Sequence, residues 1–107
     1  MPIFDDLNNY IRGWLIGDFE PSLLRIKDFE ICITNHMAGE LSQPHYHTDS
    51  EEINVVSSGE IEVNGKRLTK GGIFIYAALE ISDVKFITDT ALVVIRLPSS
   101  PFDKVDV

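Results

Sequence analysis

The sequence predicts an all-β domain built from short strands. Three observations carry that prediction: apolar and polar residues alternate with a period of two, turn residues separate the alternating runs, and no long segment sustains a helical period. Its 107 residues suit a single domain, and a chain of about this length buries roughly two-thirds of its unfolded surface, enough for one core without covalent staples. Strands this short, at this spacing, form a sandwich or a barrel.

At the N-terminus, "PIFDDLNNYI" is the one helical candidate, with Asp5 or Asp6 placed to cap a turn or two. "RGWLIGDFE" then reads as a strand that packs on the barrel or on a partner's sheet, with Trp14 and Phe19 as core or interface aromatics. Residues 1–28 are thus a short N-terminal arm. In 29–35, Phe29, Ile31 and Ile33 alternate with Glu30, Cys32 and Thr34, a half-buried strand whose apolar set is expected to face the core. His36 is in phase with Glu30 and Thr34 and is expected at the surface or rim.

Ile53 and Val55 next alternate with Asn54 and Val56, and Ile61 and Val63 with Glu60 and Glu62. Asn64-Gly65 marks a tight hairpin, because both positions of a type I′ turn need φ > 0. "KGG" (70–72) leads into "IFIY" (73–76), and "TDT" (88–90) separates "VKFI" (84–87) from "ALVVIRL" (91–97). Pro98 and Pro101 end regular structure, so 98–107 is a tail and the barrel proper spans 29–97.

Composition narrows the function. Nine basic against seventeen acidic side chains give a net charge of −8, and the basic ones are scattered, which argues against nucleic acid as a partner. Cys32 is the only cysteine, so no internal disulfide and no CxxC metal or redox motif exists. The N-terminus lacks the basic-then-apolar order of a secretion signal. No apolar run approaches the roughly 20 residues that span a bilayer, so a cytoplasmic protein without membrane contact is expected.

The chemistry concentrates in "GELSQPHYHTDSEEINVVSSG" (39–59). His45 and His47 are one residue apart, so on a strand both imidazoles share a face while Tyr46 takes the other. On the following strand Glu52, Asn54 and Val56 share a face. Two histidines and a carboxylate pointing into one interior form a set that suits a divalent metal. The same imidazoles can act as acid and base near neutral pH. A histidine-containing loop beside a solvated acidic patch is the plainer alternative.

The spacing Gly39, His45, His47, Glu52, Gly59 reads Gly-x5-His-x-His-x4-Glu-x6-Gly, which resembles the first motif of the cupin family position by position. The resemblance covers roughly 29–97 and implies a double-stranded β-barrel of jelly-roll type, often a homodimer, with a site in the barrel mouth. It implies His45, His47 and Glu52 as ligands of a divalent metal such as Fe, Mn, Zn or Ni. The second cupin motif, Gly-x5-Pro-x-Gly-x2-His-x3-Asn, is degenerate here: from Gly71, the chain has Ala77, Leu79, Ser82 and Phe86 at the four remaining positions. Ser82 stands where the third histidine ligand would be, so a metal held by the remaining three would be held weakly.

Three functions follow as expectations. One is a cupin that binds a small polar molecule, a carbohydrate among the candidates, with or without a metal. Another comes from Arg12-Gly13-Trp14 and Gly17-Asp18-Phe19, which resemble the leading segment of the metal-free sugar-nucleotide ketoisomerases. There His45 or His47 would move a proton beside a carbonyl and Arg12 would meet a phosphate or carboxylate. The last is a sensor or accessory protein without catalysis. Arg12, Asn54, Tyr76 and Ser82 are the candidate ligand contacts, although Tyr76 and Tyr46 serve equally well as core residues.

Overall fold

The computed structural model describes all 107 residues. Ten strands make up the molecule: β1 (Trp14–Ile16), β2 (Glu30–His36), β3 (His45–His47), β4 (Glu51–Ser58), β5 (Ile61–Val63), β6 (Lys66–Leu68), β7 (Ile73–Tyr76), β8 (Val84–Phe86), β9 (Thr90–Leu97) and β10 (Lys104–Asp106). Five form one antiparallel sheet in the order β1-β2-β9-β4-β7. The others pair as β6-β5-β8 and β10-β3, and the bridges His45↔Ser82 and Leu41↔Lys85 join these two pieces into a second layer. The result is an all-β jelly roll whose sheets do not close completely. No helix is long and apolar enough to cross a membrane.

Local chemistry accounts for the turns. Asn64 (φ 46°) and Gly65 (φ 86°) carry the tight hairpin between β5 and β6, the two left-handed positions that a type I′ turn requires. At the N-terminus the helical candidate shrinks to a single 3-10 turn over Leu7–Asn9, capped by the Asp6 carboxylate accepting the Asn8 N–H. Nothing in that turn is buried, and a short helix without an apolar contact face has no tertiary packing to extend it.

Between the layers lies a core of nine buried residues, among them Val56, Ile61, Val84, Phe86, Leu92 and Val94. Two expectations are corrected here. Residues 98–107 are not a structureless tail: β10 pairs with β3, matching Lys104 to His47 and Asp106 to His45. Strand pairing stops over 98–103 and resumes at Lys104, three residues after Pro101.

The second correction concerns β2. Its inward face carries Glu30 and Cys32, both buried, while Ile31 and Ile33 point outward and are only half-buried. The ladder with β9 sets this phase, pairing Glu30 with Arg96 and Cys32 with Val94. Register along a buried neighbour decides which face is inside, and a one-residue slip would reverse every side chain. His36 shares this inward phase, stacked at 4.0 Å on Phe86, and lies half-buried at the rim, one of the two places expected for it.

Candidate functional site

β3 places both histidine rings on one face, as the one-residue spacing requires, yet their surroundings differ. His47 is 5% exposed. Its Nδ1 donates to Asp103 Oδ1 at 2.8 Å, since a carboxylate can only accept. Its Nε2 lies 3.1 Å from Glu52 Oε2 but off the line of a hydrogen bond, and so has no hydrogen-bond partner. Asp103 also accepts from the Ser50 N–H (3.0 Å), the Ser50 hydroxyl (2.8 Å) and the Asp49 N–H (3.2 Å). Burial works to raise the Asp103 pKa, and these bonds together with His47 outweigh it and hold the carboxyl below its ordinary value.

A charged row crosses the inner face of the large sheet. Register aligns Glu30, Arg96, Glu52 and Tyr76 on neighbouring strands. Arg96 donates from Nε to Glu52 Oε2 at 3.1 Å, lies 3.8 Å from Glu30 Oε2 through a terminal nitrogen, and sits 5.0 Å over the Trp14 ring, a cation–π position. Burial opposes ionisation of Glu52, but the His47 ring, the Arg96 charge and the Asn54 side-chain amide bring its pKa down to about 2. Glu30 differs: burial dominates and raises its pKa, with Arg96 and the Ser100 N–H only moderating it. Its Oε2 has no hydrogen bond.

His45 is the accessible member of the pair. Its Nδ1 donates to the Gln43 carbonyl at 2.9 Å, which fixes the neutral tautomer and leaves the Nε2 lone pair free. Burial lowers its pKa, and nearby Lys104 adds to the effect. The ring is thus a neutral acceptor at pH 7.

Two cavities meet at His45. The inner one, about 220 Å³, lies between the layers and is lined by His45, Asn54, Ser82, Phe74, Phe86 and Arg96 among others. The outer one, about 800 Å³, lies between the N-terminal arm and the barrel and is reached by Tyr10, Arg12, Asn35, Glu40 and Lys104. Trp14, Thr34, His36, His45 and Arg96 border both.

The structure thus brings His45, Glu52, Asn54 and Ser82 to the inner cavity and Arg12 to the outer one. Ser82 reaches its place through backbone pairing with His45, in both directions (3.3 and 2.7 Å). Tyr76 is not at a cavity wall: it is 8% exposed and donates its hydroxyl to Asn64 Oδ1 at 2.6 Å. His47 lies behind the wall, in the carboxylate network.

The residues present do not fit a resident divalent metal. Each imidazole has an Nε2 free of hydrogen bonds, but the carboxylate meant to complete the set already carries Arg96 on Oε2 and Asn54 on Oε1. A guanidinium at 3.1 Å repels a second cation at that oxygen. No group of three or more His, Cys, Asp or Glu side chains is arranged to hold a metal ion.

Arg96, Glu30, Asp103 and His36 were not among the residues expected at the site. A signal existed for Arg96, which is in phase with Leu92 and Val94 on β9, both buried. A charge in step with a core stripe marks a buried ion pair. Asp103, after two prolines, carried none.

No family model matches the chain, and no curated protein matches it. Solved structures do. A KdgF from Halomonas sp. superposes with TM-score 0.64 at 22% identity, over 72% of this chain and 74% of that one. A conserved protein from Klebsiella pneumoniae with a double-stranded β-helix domain gives TM-score 0.67 at 18% identity, over 91% and 85%. A Ralstonia eutropha protein with a cupin-like fold gives 0.64 at 13%, over 88% of this chain but 55% of its own.

Proposed function

The chain has the cupin fold, and from that premise we propose that it binds a small polar molecule, carbohydrate-like in its hydroxyls, directly and without a resident metal. The observation that supports this most is His45, a neutral imidazole whose free Nε2 stands where the two cavities meet. Asn54 and Ser82 line the wall with it. Few polar groups converging in a partly apolar cavity are the usual form of a small-ligand site.

The test is an NMR titration of tag-free protein with a panel of neutral and charged monosaccharides, following the ring signals of its three histidines. His45 is expected to shift and His47, behind its carboxylates, to move much less. A chelator is expected to leave binding unchanged. A panel that moves neither ring, or binding abolished by chelator, overturns the reading.

A second reading, metal-free isomerisation of a keto-sugar, is favoured by the same free Nε2, which can accept a proton from carbon beside a carbonyl. It predicts solvent hydrogen exchange into a substrate, lost in His45→Gln. Binding without turnover would instead leave a sensor or accessory role. A homodimer belongs to the same proposal. It is supported by the outer face of the five-stranded sheet, where Ile73 and Ile75 are 61% and 55% exposed on an edge strand.

A further inference from the structure

The outer cavity reverses the charge of the molecule around it. Acidic side chains outnumber basic ones seventeen to nine, yet the charged residues lining this cavity are Arg12, Arg96 and Lys104 against Glu40 alone. Arg96 is committed to Glu52 and Glu30. Lys104 has only a loose contact with Asp106 at 3.7 Å, half-open to solvent, and Glu40 is bonded to His36. Arg25, Arg67 and Arg96 are each ion-paired; Arg12 is the one arginine left without a carboxylate.

Its backbone makes that more telling. Arg12 has φ 49°, a left-handed conformation that a side chain disfavours, and Gly13 follows at φ 81°. The pair is clamped onto β2: the Gly13 carbonyl accepts the Ile33 N–H at 2.9 Å, and the Arg12 carbonyl accepts from Cys32 Sγ at 3.8 Å. A Cβ at Gly13 would lie 1.7 Å from the Ile33 carbonyl oxygen, so only glycine permits the approach. This clamp onto β2 accounts for the backbone conformation and fixes where the Arg12 side chain leaves the chain, while that side chain, exposed at the cavity, makes no ion pair of its own.

We propose that the outer cavity seats the anionic group of the bound molecule, with Arg12 as its main contact and Lys104 as the second. The inner cavity, through His45, then receives the hydroxyl-bearing part. The ligand class is a polyhydroxylated anion, whose charged group is a carboxylate or a phosphate; a guanidinium fork accepts either bidentately. This inference rests on the barrel-mouth reading above and deepens it.

The experiment titrates D-glucuronate, glucose 6-phosphate and glucose into the wild-type chain, Arg12→Gln and Lys104→Gln, with the His45 ring as reporter. At least one anion is expected to bind about tenfold or more tighter than glucose at low salt. Arg12→Gln should remove that advantage, Lys104→Gln part of it, and raising the salt should weaken the anion alone. The order of the two anions tells carboxylate from phosphate. Glucose binding as tightly as either anion, or anion binding indifferent to Arg12→Gln, overturns the anionic assignment and leaves the barrel-mouth site standing. No shift of His45 with any of the three overturns both.

Discussion

The two faces of the five-stranded sheet follow opposite rules. On the inner face, Glu30, Arg96, Glu52 and Tyr76 form one cross-strand row. On the outer face, the next rows over are Ile31, Ile95, Ile53 and Ile75, then Ile33, Val93, Val55 and Ile73. An ordinary half-solvated sheet turns its charges outward and its aliphatics inward. Here a buried salt-linked row lies inside, and an aliphatic plane that is only half-buried lies outside. Alternation in a sequence therefore reveals that two faces exist without saying which is interior. On β2 the choice falls to cross-strand partners, and Glu30 follows Arg96 inward.

Breaking the inner row should have the largest effect. Arg96→Met leaves Glu52 and Glu30 without their cation, and removal of one partner from a buried pair costs about 3–5 kcal/mol. Chemical denaturation is expected to show that loss, and the double variant Glu30→Gln/Arg96→Met to recover part of it. A loss below about 1 kcal/mol for Arg96→Met would mean the row is not held as an ionised pair. Asp103→Asn should cost somewhat less, because the asparagine carbonyl still accepts from Ser50 and only the link to His47 is weakened.

Titration separates members of the same face. Glu52 and Asp103 have folded pKa values below their ordinary 4.5 and 3.8. Their stabilisation is present above those ordinary values and is lost as pH falls toward the folded ones. Glu30 is raised above 4.5, so the folded state holds its proton longer, and its contribution becomes unfavourable as pH rises from about 4.5 through the folded value. His45 is lowered below 6.5. The unfolded chain then binds more protons, and stability declines as pH falls through 6.5. Between pH 7 and pH 5 His45 should therefore lower the measured unfolding free energy while Glu30 acts in the opposite direction, and His45→Gln should remove the downward contribution. An unchanged pH dependence in His45→Gln would show that His45 does not titrate as the half-buried neutral acceptor described.

How much of this could be read beforehand follows from the physics of each signal. Period two and turn residues located β4, β5, β7 and β9 closely, because both are local. Gly39, His45, His47, Glu52 and Gly59 resembled the cupin pattern, and the solved structures agree with that fold. Ser82 marks the gap in the second motif, but its pairing with His45 is a long-range bridge. The arginine that occupies the carboxylate was invisible for the same reason: ion pairs between strands 44 residues apart leave no local mark. Asp103 follows two prolines and immediately precedes a strand of three residues, too short to register as alternation.

The outer face offers the smallest and cleanest contrast. Ile75 is 55% exposed on β7, so Ile75→Lys should change the stability of the isolated chain by no more than about 0.5 kcal/mol. Lysine also suits an edge strand. If the aliphatic plane is where two copies meet, the same substitution places a charge, with no carboxylate on Ile53 or Ile31 to receive it, in the middle of the contact. Sedimentation at matched concentration should then show wild-type chain at twice the protomer mass and the variant at one. Ligand binding at His45, on the opposite face, should be untouched, which separates assembly from recognition. Equal masses for the two proteins would remove the sheet face as the dimer contact and return that role to the N-terminal arm, where Ile3 and Phe4 are 95% and 87% exposed.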